Sequence, residues 1–240
     1  MVFIVSMETS SRRRWAVLLP ALITPFIMAL IYFVVFPGTA LGNGLYAVHK
    51  VFLIMWPILA TAWLLEESIL PLAWMGCLRA KDAFVGAGLG VLIVAAMFGL
   101  MHATPLGAVV EAGSGQIAEK VRGMGVLNHF LAFALFLSVI HSLIEEVYWR
   151  WFVFGNLAHL ISKCMAHVVA ALGFSAHHIL VLSQFFPLWL ASILGLCVGI
   201  GGLLWSLLRE RQGALWGAWV SHMVVDLGIM WLGAGLIGLR

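Results

Sequence analysis

Residues 141–156 read HSLIEEVYWRWFVFGN, so Glu145, Glu146 and Arg150 stand inside a run that is otherwise apolar and aromatic. The chain holds only ten acidic residues in 240, and two of them are neighbours here. An ionised side chain at the centre of a membrane helix costs about 2.5–3.5 kcal/mol on insertion scales, so such groups persist where they pair or line a wet cavity. On a helix Glu146 and Arg150 are four apart and share a face, while Glu145 points about 100° away from Glu146. The spacing allows one structural carboxylate clamped by Arg150 and one facing a cavity. The plainer alternative is that both glutamates pair at a helix end.

Two further clusters match the first. FSAHH puts His177 and His178 side by side at residues 174–178, and HMVVD puts His222 and Asp226 four apart, hence on one helical face. A lone intramembrane histidine is ordinarily bonded to a neighbouring helix. That reading covers His49, His102, His129, His141, His159 and His167. Glu145, Glu146, His178, His222 and Asp226 together have the composition of a general base with either a metal or an oxyanion-stabilising pair.

The elements that must position these groups follow from composition. The chain is 63% hydrophobic and 10% charged, with mean hydropathy +1.08. Soluble domains carry about 25% charged residues. An all-α, polytopic membrane helix bundle of about seven to eight transmembrane helices is expected, in contact with the lipid bilayer. The formal charge of +3 reflects basic residues on inner loops and does not indicate a nucleic-acid partner. Cys77, Cys164 and Cys197 are scattered, without CxxC spacing, and read as buried small apolar side chains.

Spans are expected over about Trp15–Pro37, Leu45–Leu65, Ala83–His102, from Val126 into the glutamate pair, Met165–Phe186 with a break at Pro187, Leu188–Leu208 and Ala214–Leu239. The first is too long for a secretory h-region. Residues 69–80 or 148–160 are candidates for an extra helix. The stretch 103–125 is polar and Gly-rich and reads as the longest exposed loop. Arg12, Arg13, Arg14, Arg79, Lys81, Lys163, Arg209 and Arg211 fall on inner segments, and Lys50, Lys120, Arg122 and Arg240 on outer ones. The positive-inside rule then puts the N-terminus in the cytoplasm and the protein in the inner cell membrane as a multi-pass chain. Residues 1–125 read as N-terminal spans with an external loop, and 126–240 as the chemistry-bearing core of one integrated membrane domain.

EEVYWR fits EExxxR, FSAHH fits FxxxH, and HMVVD fits HxxxN with Asp in place of Asn. In this order, over roughly residues 126–230, the motifs resemble the CPBP family, the CAAX-protease and bacteriocin-processing intramembrane endopeptidases. The resemblance implies that Glu145 is the general base, that His178 helps hold the water, and that Glu146 and Arg150 order the site. His222 and residue 226 would stabilise the oxyanion. Its substrate would be a peptide or protein reaching the site from the membrane, prenylated CaaX ends being the substrate of the eukaryotic branch.

Asp226 departs from the pattern, because an ionised carboxylate only accepts hydrogen bonds whereas Asn can donate. Asp226 is therefore protonated, orients His222, or is a ligand to a divalent metal such as zinc; no cofactor is otherwise implied. HExxH is absent, which argues against a zincin, and with Asp82 at a helix start Asp226 lacks a second catalytic aspartate. Ser175 with His222 would make a serine dyad that leaves the glutamates unexplained. The alternative to an enzyme is a non-catalytic immunity protein or small transporter using the same polar cavity.

Overall fold

In lipid every backbone N–H and C=O must be satisfied within the chain, and an apolar sequence without strand alternation meets that demand by forming helices. The computed structural model describes residues 2–67, 69, 79–123 and 125–239, with side chains from Ser11 onward. Seven described helices are long and apolar enough to cross a membrane: α1 (Ser11–Val35), α2 (Ala40–Leu64), α3 (Ala80–Ala103), α6 (Leu127–Leu157), α7 (Lys163–Leu182), α8 (Leu188–Gln212) and α9 (Trp216–Leu236). Two short helices, α4 (Leu106–Ala112) and α5 (Ser114–Gly123), lie between α3 and α6.

The bundle matches the expected class and differs in four places. Within the stretch expected to be a loop, Leu106–Ala112 and Ser114–Gly123 are helical: Ile117 and Val121, four apart, are buried, and the polar remainder hid that one-sided pattern. Residues 148–160 form no separate helix, because α6 continues to Leu157; the stretch 69–80 falls almost wholly outside the described residues. Lys50, expected on an outer segment, lies ten residues inside α2. Cys164 and Cys197 are exposed on the outside of the bundle rather than buried, and Cys77 lies outside the described residues.

Helix α6 positions the glutamates by changing its pitch twice. Phe136–His141 and Val147–Val153 are wound as π-helix, and Ser142–Glu146 is one α-helical turn between them. Each widened turn disturbs the regular i→i−4 ladder, and side chains serve the carbonyls there. The Ser142 hydroxyl donates to the Ser138 carbonyl at 2.5 Å, and the Trp219 indole N–H donates to the Val139 carbonyl at 3.0 Å. At the far end the Asn156 amide donates to the Phe152 carbonyl at 2.8 Å. Such π segments are frequent at functional sites.

Helix α1 braces α6. Pro25 has no N–H to offer the Ala21 carbonyl, and the Tyr148 hydroxyl takes that place at 2.7 Å. Arg14 donates to the Asn156 side-chain oxygen at 2.7 Å and also binds Glu67. On the opposite side, α8 approaches α7 along glycines. A Cβ at Gly199 would lie 2.9 Å from the Ser175 Cβ, and one at Gly202 would lie 2.9 Å from the Phe174 ring and 3.0 Å from Arg150 Nη2. Small residues at this spacing let membrane helices close on each other, and here they bring α8 onto the motif-bearing faces of α6 and α7.

Candidate active site

Glu146 lies at the middle of the bundle with 0% exposure, and Arg150 with 1%. Glu146 Oε2 is 3.4 Å from Arg150 Nε, the pairing that the spacing led one to expect. The guanidinium lies in the corner between two aromatic rings set at 76° to each other, 4.3 Å from the Phe174 ring centre and 5.1 Å from that of Trp205. Its nitrogens make no hydrogen bond among the described residues, so charge and ring quadrupoles hold it. The first residue of FxxxH thereby gains a structural purpose, since Phe174 on α7 covers the arginine from α6.

The other oxygen of Glu146, Oε1, accepts from His222 Nδ1 at 2.8 Å. This contact ties α9 to α6. The imidazole is further fixed by stacking on Trp205, with centroids 4.0 Å apart and planes 15° apart, and the Trp205 indole N–H donates to the Ser221 hydroxyl at 3.0 Å. His222 Nε2 then faces two more carboxylates, Glu145 Oε2 at 3.7 Å and Asp226 Oδ1 at 3.7 Å.

Glu145, 6% exposed, points away from Glu146 into a ring of imidazoles. Its Oε1 is 3.5 Å from His141 Nε2 and 3.6 Å from His177 Nε2. His178 completes the group: its Nδ1 donates to the Phe174 carbonyl at 2.8 Å, which leaves Nε2 of the neutral ring with its lone pair. His177 stacks on Trp149 at 5.7 Å with planes 2° apart. Glu145, His177 and His178 each offer one donor atom, all within 4.8 Å of one another. A ring N–H fixed on a carbonyl is the usual support for a metal-binding imidazole, so this donor set fits a divalent ion as well as it fits a water. Asp226 is not among those donors; its contact is with His222.

All six residues singled out in the sequence therefore converge. Two were overlooked. His141 read as an interhelical hydrogen bonder, yet it contacts Glu145 from four residues back, a spacing that could have revealed it. His177 stood beside His178 without a role, and no rule of spacing tells which of two adjacent histidines faces a carboxylate. Trp205 lies outside all three motifs and carried no signal.

Fold and site together define a polytopic membrane protein with a buried glutamate–histidine centre. Residues 127–228 match the family model described as Rce1-like, type II CAAX prenyl endopeptidase Rce1-like. That region holds every motif residue, and its likeness to the CAAX-protease family supports a protease role in the membrane. No curated protein and no solved structure matches the chain.

Removing one member of a buried ion pair typically costs about 3–5 kcal/mol, since the other charge is left alone. Arg150→Ala should therefore lower the melting temperature in detergent, and Arg150→Lys, which keeps the charge but not the flat stacking face, should fall between. Equal melting temperatures for Arg150→Ala and the wild type would show that the pair does not support the fold.

Proposed function

We propose that the chain is an intramembrane endopeptidase that hydrolyses a membrane-associated or lipid-linked peptide or protein with a glutamate-activated water. The observation that carries this reading is the setting of Glu145: a buried carboxylate facing three imidazoles at 3.5–3.7 Å, inside the family-matched region. Glu145 takes a proton from water, and the oxygen attacks the scissile carbonyl carbon. His178 Nε2 accepts a hydrogen bond from the same water and orients it. His222, held by Glu146 and doubly protonated, donates from Nε2 to the oxyanion. Collapse of the tetrahedral intermediate breaks the C–N bond, and Glu145 returns its proton to the leaving amine. Asp226 keeps His222 in this role from its position 3.7 Å away.

A second reading is favoured by the donor set of Glu145, His177 and His178. Three protein ligands with an open position suit a catalytic zinc site. Such an ion would polarise the carbonyl and acidify a bound water. The orientation we propose is N-terminus cytoplasmic, in the inner cell membrane. It rests on Arg14 joining the ends of α1, α2 and α6 and on Lys163 pairing with Glu210 at 2.7 Å, which gather basic residues at one end of the bundle.

Glu145→Gln keeps shape while removing the base. Cleavage of a membrane peptide by the purified protein should fall by about 10²–10⁴-fold without loss of thermal stability. Near-normal turnover would remove Glu145 as the base, and absence of cleavage in the wild type would favour a binding or transport protein. Metal analysis of the purified protein decides the second reading: stoichiometric zinc that is lost in His177→Ala would establish it, and metal-free active protein would eliminate it. For the orientation, Gln116→Cys on the exposed face of α5 should react with an impermeant thiol reagent in intact cells; protection would invert the topology.

A further inference from the structure

The centre is closed on one side and open on the other. Toward the basic end of the bundle, Glu146, Trp149, Arg150, Phe174 and Trp205 are each at most 3% exposed. Toward the end that carries α4 and α5, the ionisable groups open. The side chain of His141, one turn beyond Glu145 in that direction, is 20% exposed, and that of His177 is 13% exposed. The side chain of Asp226, one turn beyond His222, is 21% exposed. All three are tied to the site by distance: His141 and His177 lie 3.5 and 3.6 Å from Glu145, and Asp226 lies 3.7 Å from His222.

At this depth an exposed ionisable group faces water rather than lipid. Asp226 is ten residues from both ends of α9, Trp216 and Leu236, or about 15 Å from each, half the thickness of a hydrocarbon core. Such groups pair or line a wet cavity. Helix α7 marks the route. As far as Ser175 it alternates, with Ala170, Ala171 and Phe174 buried and Val168 and Leu172 turned outward. Over residues 176–186 every side is half-buried, so no face is closely packed and none is given over to lipid. Helix α7 also ends early on that side. His178 is four residues from Leu182 and fifteen from Lys163, or about 6 Å from one end and about 22 Å from the other. Just beyond the turn at residues 183–187, Trp189 is 57% exposed, as an indole at the membrane–water boundary would be. The opening lies over the α7–α8 turn.

We propose that substrate and water enter the centre from the α4–α5 end, across the α7–α8 turn. This rests on the peptidase reading and narrows its substrate class. With the N-terminus in the cytoplasm, the scissile bond belongs to a peptide segment on the outer side of the membrane, in a chain that has already been translocated. The aromatic packing around Arg150 closes the inner side to a cytoplasmic peptide. Hydrolysis consumes one water at each turnover, and a path lined by His141, His177 and Asp226 brings it to Glu145 without a crossing of lipid.

The test reads the side from which a water-soluble reagent reaches the centre. His141→Cys and Asp226→Cys are made singly in the full chain with Cys77, Cys164 and Cys197 replaced by Ser. Each is treated with a membrane-impermeant sulfonated maleimide, which reacts with a hydrated thiolate and not with a thiol facing lipid. Gln116→Cys on α5 and Arg211→Cys on the exposed basic end mark the two sides. In intact cells both site cysteines should label, as Gln116→Cys does. In inverted membrane vesicles that labelling should be lost, and Arg211→Cys alone should react. Labelling of the site cysteines from the Arg211 side, from both sides or from neither overturns the proposal. Labelling together with Gln116→Cys in inverted vesicles, and not in intact cells, overturns the translocated substrate. The peptidase reading is judged separately, by cleavage of a membrane peptide with the purified wild-type chain. No cleavage with the expected labelling leaves the entrance standing and ends that reading, whereas cleavage with labelling from the Arg211 side does the reverse.

Discussion

The carboxylate of Glu146 is the contact on which the site depends. One oxygen pairs with Arg150 and the other accepts from His222, so a group with no exposure at all joins the first motif to the third. Arg150 extends the connection to the second motif through the face of Phe174. Burying such a pair brings a desolvation penalty that the Coulomb attraction repays only partly. What it provides is placement: with Glu146 occupied on both oxygens, Glu145 is the carboxylate left to face the imidazoles.

Much of the bundle serves that placement. The π turns before and after Ser142–Glu146 set the direction of both glutamates, and Ser142, Trp219 and Asn156 supply the hydrogen bonds that widened turns require. Trp205 has to lie against both Arg150 and His222, which demands a close approach by α8. Gly199 and Gly202 permit it, and any side chain at Gly202 would push into Phe174 and the guanidinium together. The Tyr148 bond to Ala21 anchors the same helix from the other side, at a carbonyl that Pro25 leaves without its amide.

The seven spans were legible because hydropathy over twenty residues is a strong one-dimensional signal, and Glu146–Arg150 was legible because a four-residue spacing is local. Where the reading stopped, the cause was three-dimensional. The pitch change in α6 leaves no mark in hydrophobic periodicity, so its continuation past Arg150 resembled a separate helix. His177 and His178 differ only in which way each ring turns. Ile117 and Val121 were too few to announce a helix against a polar, Gly-rich background. The divisions 1–125 and 126–240 describe where the motifs lie, while the bonds from α1 to Tyr148 and Asn156 run across that line.

The winding of α6 also bears on how such a site tolerates change in length. A π turn holds more residues than an α turn of the same rise, so it behaves like an insertion absorbed in place. Deleting one residue from Phe136–His141 or Val147–Val153 would let the helix recover regular α pitch with its backbone bonds intact. The residues on either side would then keep nearly the same relative direction, because the widened turn had already taken up the extra residue. A residue lost from the α-helical turn Ser142–Glu146 would instead turn one side of the helix by about 100° and shift it by about 1.5 Å relative to the other. A chain altered in that second way could still insert as seven good helices, with its hydropathy profile nearly untouched and its glutamates out of line with the imidazoles of α7.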